Sequence, residues 1–521
     1  MKKLITLILI VIMITPVFAI ASYAGAWDGK TASESLKGEG TAVSPYLVES
    51  AADLAFLAKS VNAGTTYEGK YITQTADIDL GSKEWTPIGI CSEDSKKLVP
   101  FSGVYDGKDH KVTGLRINGA LTVDTGLFGF ISSTSKNSAG VANLSVSGEI
   151  KINAPRSVGI GGIIGRICLE ADVGLSEIYV INCTSDVDIT LTNCKNQPRV
   201  GGVIGYANLS TVQNVISNGD ITINTSATSR VAGVFGEITS STAKHCVNNG
   251  NITATATGGN AQVGGISGMS VYWPKSGRTL VFDTCINNGD VSSTLTTGKC
   301  YTGGIVGGFY SDDKKAMDIL VVDCVNTGKI YSSASTGSSY YPYTGGIYSY
   351  ASYPKTAIVR CVNIGEIVSI GGLDTRPGDI ISVMNKPGEA TIYCRDCICV
   401  NNLSAYIVND KTGCVDKADP ELVAAAAKSL ADSVTFAYID INGFDTSRSF
   451  SAAPIETFPL QTSKPHNISD AMNSPDGGTS NADENNVDDG AYKVIAVVAL
   501  SISAVCSVGI VIARVVRRKK K

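Results

Sequence analysis

Apolar positions along this chain recur in short bursts rather than long runs. Within residues 201–231 three bursts read as strands, at 202–207, 212–217 and 220–224. In these strands Ile, Val and Cys are expected to point inward and Thr, Ser and Asp outward. Asn218-Gly219 separates the last two and supplies positive-φ turn chemistry. One earlier segment breaks the rhythm. From Ala51 to Val61 the apolar residues Leu54, Leu57, Ala58 and Val61 follow helical spacing, and Pro45-Tyr46-Leu47-Val48 before them reads as a strand.

The bursts are organised by a recurring phrase. It reads Gly161-Gly162-Ile163-Ile164-Gly165, then Gly201-Gly202-Val203-Ile204-Gly205 and Ala232-Gly233-Val234-Phe235-Gly236. It continues as Gly264-Gly265-Ile266-Ser267-Gly268, Gly303-Gly304-Ile305-Val306-Gly307 and Gly345-Gly346-Ile347-Tyr348-Ser349, with first positions 40, 31, 32, 39 and 42 residues apart. A second phrase follows each copy, at Cys183, Asn214, Cys246, Cys285, Cys324 and Cys361. Such self-similarity means stacked repeats. Three short strands per repeat predict one coil of a right-handed parallel β-helix, an all-β solenoid of eight or nine coils standing about 40 Å tall. Two shorter coils per repeat is the competing reading.

The expected organisation is a signal peptide (1–24), an N-terminal cap with the small helix (25–70) and the β-helix proper (71–415). A C-terminal cap follows (416–451) with an Ala-rich helix near Glu421 to Ser433, then a disordered acidic stalk (452–490). Lys2 and Lys3 before the apolar run Leu4 to Ile20, then small residues ending at Ala24, are the layout of a secretory signal, cleaved after Ala24 or Ala21. The uncharged stretch from Val494 to Ala513 is long enough to span a membrane as a helix (491–513). Arg514, Arg517, Arg518 and Lys519 to Lys521 form a tail (514–521) that stays in the cytoplasm by the positive-inside rule, leaving the body outside. A cell-wall sorting signal has a similar layout, but Asn486-Val487-Asp488-Asp489-Gly490 is a poor sorting pentapeptide.

Nine basic residues and no acidic one lie in these two ends. The body from 25 to 490 therefore holds 34 basic against 47 acidic residues, a balance of −13. An acidic exterior repels phosphate backbones, which excludes nucleic acid as a partner class. Fourteen cysteines in an exported chain suggest disulfides. Here Cys183, Cys246, Cys285, Cys324, Cys361 and Cys399 share one repeat position. Stacked in register about 4.8 Å apart, their Cβ vectors run parallel, which disulfide geometry does not tolerate. A ladder of buried free thiols is expected.

Candidate chemistry is sparse. The three histidines, His110, His245 and His466, have no partner at metal spacing. Asp106, Asp109 and His110 cluster in one phrase, and Asp77 and Asp79 alternate on one strand face. Carboxylates on a β-helix can cleave polysaccharide or bind calcium, but turn scaffolding and an outward polar face explain both groups. Cys394, Cys397, Cys399 and Cys414 reach zinc-like spacing; a core ladder finished by Cys399, with a disulfide beside it, competes. No catalytic residue, metal site or cofactor is expected. The loops after the Gly-Gly phrases carry Tyr206, Tyr272, Trp273, Phe309, Tyr310, Tyr348, Tyr350 and Tyr353, with Tyr340, Tyr341 and Tyr343 in the loop before Gly345. Stacked on neighbouring coils, such rings are expected to make a ligand-binding stripe.

Trp27-Asp28-Gly29, Pro45-Tyr46-Leu47-Val48, Ala76-Asp77-Ile78-Asp79-Leu80, Trp85-Thr86-Pro87-Ile88-Gly89, Tyr105-Asp106-Gly107 and Gly126-Leu127-Phe128-Gly129 resemble the amino-terminal region of many bacterial surface proteins. The repeats resemble the GLUG motif of such adhesin-like proteins. The resemblance covers roughly residues 27 to 370 and implies a parallel β-helix at the cell surface. Some secreted peptidases carry similar repeats beside a His-Glu-x-x-His zinc site, which this sequence lacks. The expectation is a membrane-anchored binding protein whose partners are glycans or surface proteins of host or neighbouring cells. A polysaccharide lyase or glycosidase on the same fold, and a purely structural envelope protein, are the alternatives.

Overall fold

The computed structural model describes residues 26–92, 97–119, 123–133, 138–153, 158–169, 178–194, 196–273, 276, 278–311, 318–335, 341–351, 355–372, 375–384, 391–395, 397–399 and 415–416. The signal-like start, the expected C-terminal cap, the acidic stalk, the apolar segment at 494–513 and the basic tail lie outside the described residues. Among the described residues no helix is long and apolar enough to cross a membrane.

The coil beginning at Arg199 shows how sequence becomes fold. Its strands are Arg199–Gly201, Ile204–Asn208, Ser210–Ser217 and Ile221–Thr225. Each pairs in parallel with its counterpart one repeat later: Val200 with Val231, Ile204 with Phe235, Val215 with Cys246 and Ile221 with Ile252. One repeat is therefore one coil, and the two-coil alternative is excluded. The coil has four strands rather than three, because the Gly-Gly phrase is a corner and not the start of a strand. Stacking produces parallel sheets of 23, 7 and 8 strands. The long sheet wraps two faces of each coil. The described part is thus nearly all-β, a parallel β-solenoid.

Side-chain alternation fills the tube. In Ile221–Thr225, Ile221 and Ile223 are buried while Thr222 and Asn224 face solvent. A single apolar cluster runs from Val48 at one end to Cys397 at the other. The helix Ala51–Asn62 buries Leu54, Leu57, Ala58 and Val61 in that cluster. Its start is fixed by Ser50, which accepts from the Asp53 amide at 3.3 Å, while Asp53 accepts from the Glu49 amide at 3.1 Å. That reciprocal arrangement satisfies amides that a helix N-terminus leaves open.

Three polar or thiol columns run along the solenoid. The thiol column passes through Cys183, Val215, Cys246, Cys285, Cys324 and Cys361. These cysteines are fully buried and free. Two sequence assignments shift here. Val215, not Asn214, occupies the thiol position of its coil. Past Cys361 the register brings in Cys397, whereas Cys399 stands opposite Asn363. Cys394 pairs with Ile358, so the cysteines at 394, 397 and 399 occupy three separate columns. Tyr353 and Cys414 lie outside the described residues.

Beside the thiols, Asn143, Asn182, Asn214, His245, Thr284, Asp323 and Arg360 all have φ between 51° and 54°. Asparagine tolerates this left-handed conformation better than most residues. The amides of this column form a directional chain: Asn143 donates to Asp106 at 2.9 Å, Asn182 to Asn143 at 2.9 Å, and Asn214 to Asn182 at 3.0 Å. An inner chain links Asn248 to Asn287 (2.8 Å), Asn287 to Asn326 (2.7 Å) and Asn326 to Asn363 (2.8 Å). Each of its first three members also donates to a turn carbonyl, of Gly250, Gly289 and Gly328. This chain explains the second glycine of the repeat phrase. A Cβ on Gly304 would lie 2.0 Å from the Gly346 carbonyl oxygen and 2.5 Å from Asn326 Cγ.

Candidate functional site

That inward-pressed corner has an outer consequence. The residue two before each Gly-Gly pair faces outward from the seven-stranded sheet, and the residue after the third glycine faces outward from the eight-stranded sheet. If the corner were convex these side chains would diverge. They touch instead, so the corner is a re-entrant crease running along the solenoid.

One rim of the crease is a register column of Arg199, Arg230, Gln262, Tyr301 and Tyr343. The other is Arg166, Tyr206, Glu237, Met269, Gly308 and Tyr350. Both Arg199 and Arg230 form ion pairs with the Glu237 carboxylate across the crease. The Tyr206 ring lies between two guanidinium groups, with Arg166 at 5.3 Å and Arg199 at 5.1 Å from its centroid, which is cation–π range. Arg166 in turn pairs with Asp124 at 2.5 Å, and Gly159 donates its amide to the same carboxylate. The three arginine side chains keep 15–19 % of their surface exposed, whereas Asp124 and Glu237 keep 2 % and 7 %. The arginine side chains are thus less deeply buried than the carboxylates they pair with.

Burial sets the electrostatics. It pushes the Asp124 carboxyl up, against the opposing pull of Arg166. It raises the Tyr206 hydroxyl, with Glu237 adding to the effect. It lifts the neighbouring Cys91 thiol to about 12. For Arg166, burial opposes the charge but Asp124 outweighs it, and the guanidinium is held protonated.

Three coils further on the crease changes character. Tyr301 and Tyr343 stack at 5.2 Å with an interplanar angle of 6°, and Tyr350 leans on both at 4.9 and 5.3 Å from the opposite rim. Tyr341 meets Tyr343 edge-on at 6.3 Å. Between the two halves Gly308 leaves room that Gln262 partly covers, its Cγ 3.2 Å from where a Cβ would sit.

The expected aromatic stripe is not one column. Tyr206 and Tyr350 share the crease column. Phe309 pairs with Ser270 and Tyr348 with Val306, both at inward positions, and both rings are buried at 4 % and 0 % exposure. Those two cannot meet a surface ligand. Tyr272 and Trp273 are half-buried against the core, and the Trp273 amide is held by Ser240 at 2.8 Å. Tyr310 stands opposite Val271, in another column. Equal distance from the Gly-Gly phrase did not mean equal facing, because strand parity alternates within the loop-proximal residues. The crease residues Arg166, Arg199, Arg230, Glu237, Gln262 and Tyr301 were missed. Their signal was a fixed offset from the glycines, hidden because the residue type differs from coil to coil.

The carboxylate candidates act locally. Asp106 is 2 % exposed, accepts from the Lys108 amide at 3.0 Å and pairs with Lys108 Nζ at 2.8 Å. Asp77 accepts from the Lys111 amide at 2.9 Å and lies 3.2 Å from His110 Nδ1; the Lys111 bond holds its carboxyl below the usual range. Asp79 accepts from Gly81 at 2.8 Å, and Ile78 between the two aspartates is buried. Each of these carboxylates anchors turn backbone.

No family profile matches the chain. It is 28 % identical over 209 residues to halomucin of Haloquadratum walsbyi, covering 38 % of this chain and 2 % of that protein. It is 33 % identical over 141 residues to a protein of Evansella cellulosilytica named as a candidate Gly-rich membrane protein, covering 26 % and 15 %. The chain therefore spans only a small part of either relative. Among solved structures, one named as a candidate immunoglobulin A1 protease from Bacteroides ovatus overlays at a TM-score of 0.35 and 15 % identity, covering 74 % of this chain and 87 % of that one.

Proposed function

We propose that this is a membrane-anchored cell-surface protein whose right-handed parallel β-helix, built of GLUG-like repeats, works by binding. Its partners are glycans or surface proteins of host or neighbouring cells. The observation that carries this reading is the crease. It extends across successive coils and is rimmed by partly exposed guanidinium groups at one end and tyrosines at the other. Arginine and tyrosine are the side chains that most often anchor recognition surfaces. The names of the two relatives, a mucin-like and a membrane protein, agree with a surface address. Catalysis has less support. The two buried carboxylates of the crease, Asp124 and Glu237, are each held by arginine rather than poised as an acid and base pair.

Full-length protein in detergent, passed over immobilised polysaccharides and glycoproteins, tests the reading. Retention without release of smaller products is expected, weakened by Tyr350→Ala at unchanged thermal stability. Product release would replace binding with a lyase or glycosidase. Neither retention nor products would leave a structural envelope role.

A further inference from the structure

Asn-x-Ser/Thr triplets begin at Asn143, Asn182, Asn208, Asn224 and Asn251 among the described residues. This triplet is the acceptor for N-linked sugar in exported chains, and its asparagine must face solvent. The fold sorts the candidates. Asn143 and Asn208 are buried. Asn182 is locked in the left-handed column, donating to Asn143 at 2.9 Å and accepting from Asn214 at 3.0 Å. A sugar on any of these three would break the stack. Asn224 and Asn251 are exposed, on adjacent coils of the long sheet. Asn224 lies near the end of the strand Ile221–Thr225 and Asn251 just before the strand Ile252–Ala256, so both stand beside turns.

The fold does not call for an amide at either position. Asn251 stands in an outer column between Asp220 and Asp290. Its backbone amide donates to Asp220 Oδ1 at 2.8 Å, and its own Oδ1 accepts from the Asp290 amide at 3.1 Å. Asp188 accepts from the Asp220 amide at 3.0 Å and Asp290 from the Lys329 amide at 2.8 Å in the same way. The position asks only for an acceptor oxygen, which a carboxylate supplies on the other coils, and the Nδ2 of Asn251 is surplus to that ladder. Asn224 is matched by Thr255 and then Thr294 on the following coils. The hydroxyl-bearing third residues of the two triplets, Ser226 and Thr253, are exposed as well. The crease lies between the other two parallel sheets, so sugar on this face leaves it open.

We propose that Asn224 and Asn251 carry N-linked glycans. The donor is an oligosaccharide on a polyisoprenyl diphosphate carrier. The Nδ2 of each asparagine bonds to the anomeric carbon as the bond from that carbon to the diphosphate oxygen breaks. The carrier leaves as the free diphosphate, and the amide gives up one proton. This rests on the surface address proposed above, because such transfer serves exported chains.

The test takes full-length protein from the envelope of its native cells and maps it by glycopeptide mass spectrometry. Sugar is expected on Asn224 and Asn251 and on none of Asn143, Asn182 and Asn208. Ser226→Ala and Thr253→Ala keep both asparagines but remove the acceptor hydroxyl, and each should lose the mass of one oligosaccharide. Ser226→Thr and Thr253→Ser keep the triplet and should keep the sugar. Envelope protein lacking sugar at either position would overturn the inference there and leave the surface reading intact. Sugar on any of the other three asparagines would overturn it too, as would sugar that persists in Ser226→Ala and Thr253→Ala. Protein confined to the cytoplasm would overturn both proposals. If an alanine variant fails to fold, the wild-type map still decides.

Discussion

The inner asparagine column and the outer crease lie on opposite sides of the same Gly-Gly corner, yet they read very differently along the chain. Inside, Asn248, Asn287, Asn326 and Asn363 repeat one residue type on consecutive coils. Outside, the matched positions run Arg199, Arg230, Gln262, Tyr301, Tyr343. The interior repeats because each amide has a donor and an acceptor, and only its own kind on the next coil satisfies both. A buried amide left unpaired costs about 1–3 kcal/mol. The crease is under no such constraint: its side chains meet across two sheets, and its arginines keep 15–19 % of their surface exposed while Glu237, Tyr301 and Tyr343 are buried. At this corner the inner position repeats because its hydrogen bonds require one residue type, whereas the outer position varies from coil to coil.

The comparison can be broken first at the glycine between the two regions. Gly304→Ala would drive a Cβ to 2.0 Å from a backbone oxygen that cannot move aside. A loss above about 4 kcal/mol is expected, seen as failure of full-length protein to resist protease during expression. The inner column comes next. Asn287 donates to Asn326 and Gly289 and accepts from Asn248, so Asn287→Ala should lower stability by about 2–4 kcal/mol in urea titration.

A third change sharpens the picture by pH. His245 takes the left-handed position where Asn214 stands one coil earlier, with Nδ1 3.1 Å from the Asn214 Oδ1. The Asn214 amide nitrogen already donates to Asn182, so its oxygen accepts and His245 carries its proton on Nδ1. Burial, with Lys244 adding to it, lowers the imidazole from 6.5 to about 4 against the opposing pull of Asp283. The unfolded chain therefore takes up this proton first as pH falls. Stability is full above about pH 6.5 and declines toward pH 4, by on the order of 2 kcal/mol. His245→Asn fits the same backbone conformation and should remove most of this acid sensitivity, measured as melting temperature at pH 5 against pH 7.5. The smallest effect on stability belongs to the crease. Arg230→Gln removes one partner of a largely buried ion pair and its bond to Gln197 but leaves Glu237 paired to Arg199, and should cost about 1–2 kcal/mol in the same urea titration.

Much of the architecture was legible in the sequence, and the crease was not. The repeat phrase located six successive coils, and a helix from Ala51 to Val61 was visible from its spacing. The thiol column was legible in kind but slipped at its end. Cys397 and Cys399 are equally plausible by offset, and only the pairing of Val362 with Ile398 decides between them. The aromatic stripe failed for a related reason. Phe309 and Tyr350 follow their glycines at nearby offsets, yet one step of strand parity sends Phe309 into the core and Tyr350 into the crease. The arginines escaped because a search for self-similarity is blind to positions whose residues differ.

Hydroxyl-radical footprinting of the full-length protein, with and without a retained polysaccharide, tests the central claim most directly. If the crease is the binding site, oxidation of Tyr341 and Tyr350 should fall on binding. Tyr331, half-buried on the outer face of the long sheet, should react unchanged. Protection of Tyr331 with Tyr341 and Tyr350 unaffected would place the partner on the long sheet and contradict the account.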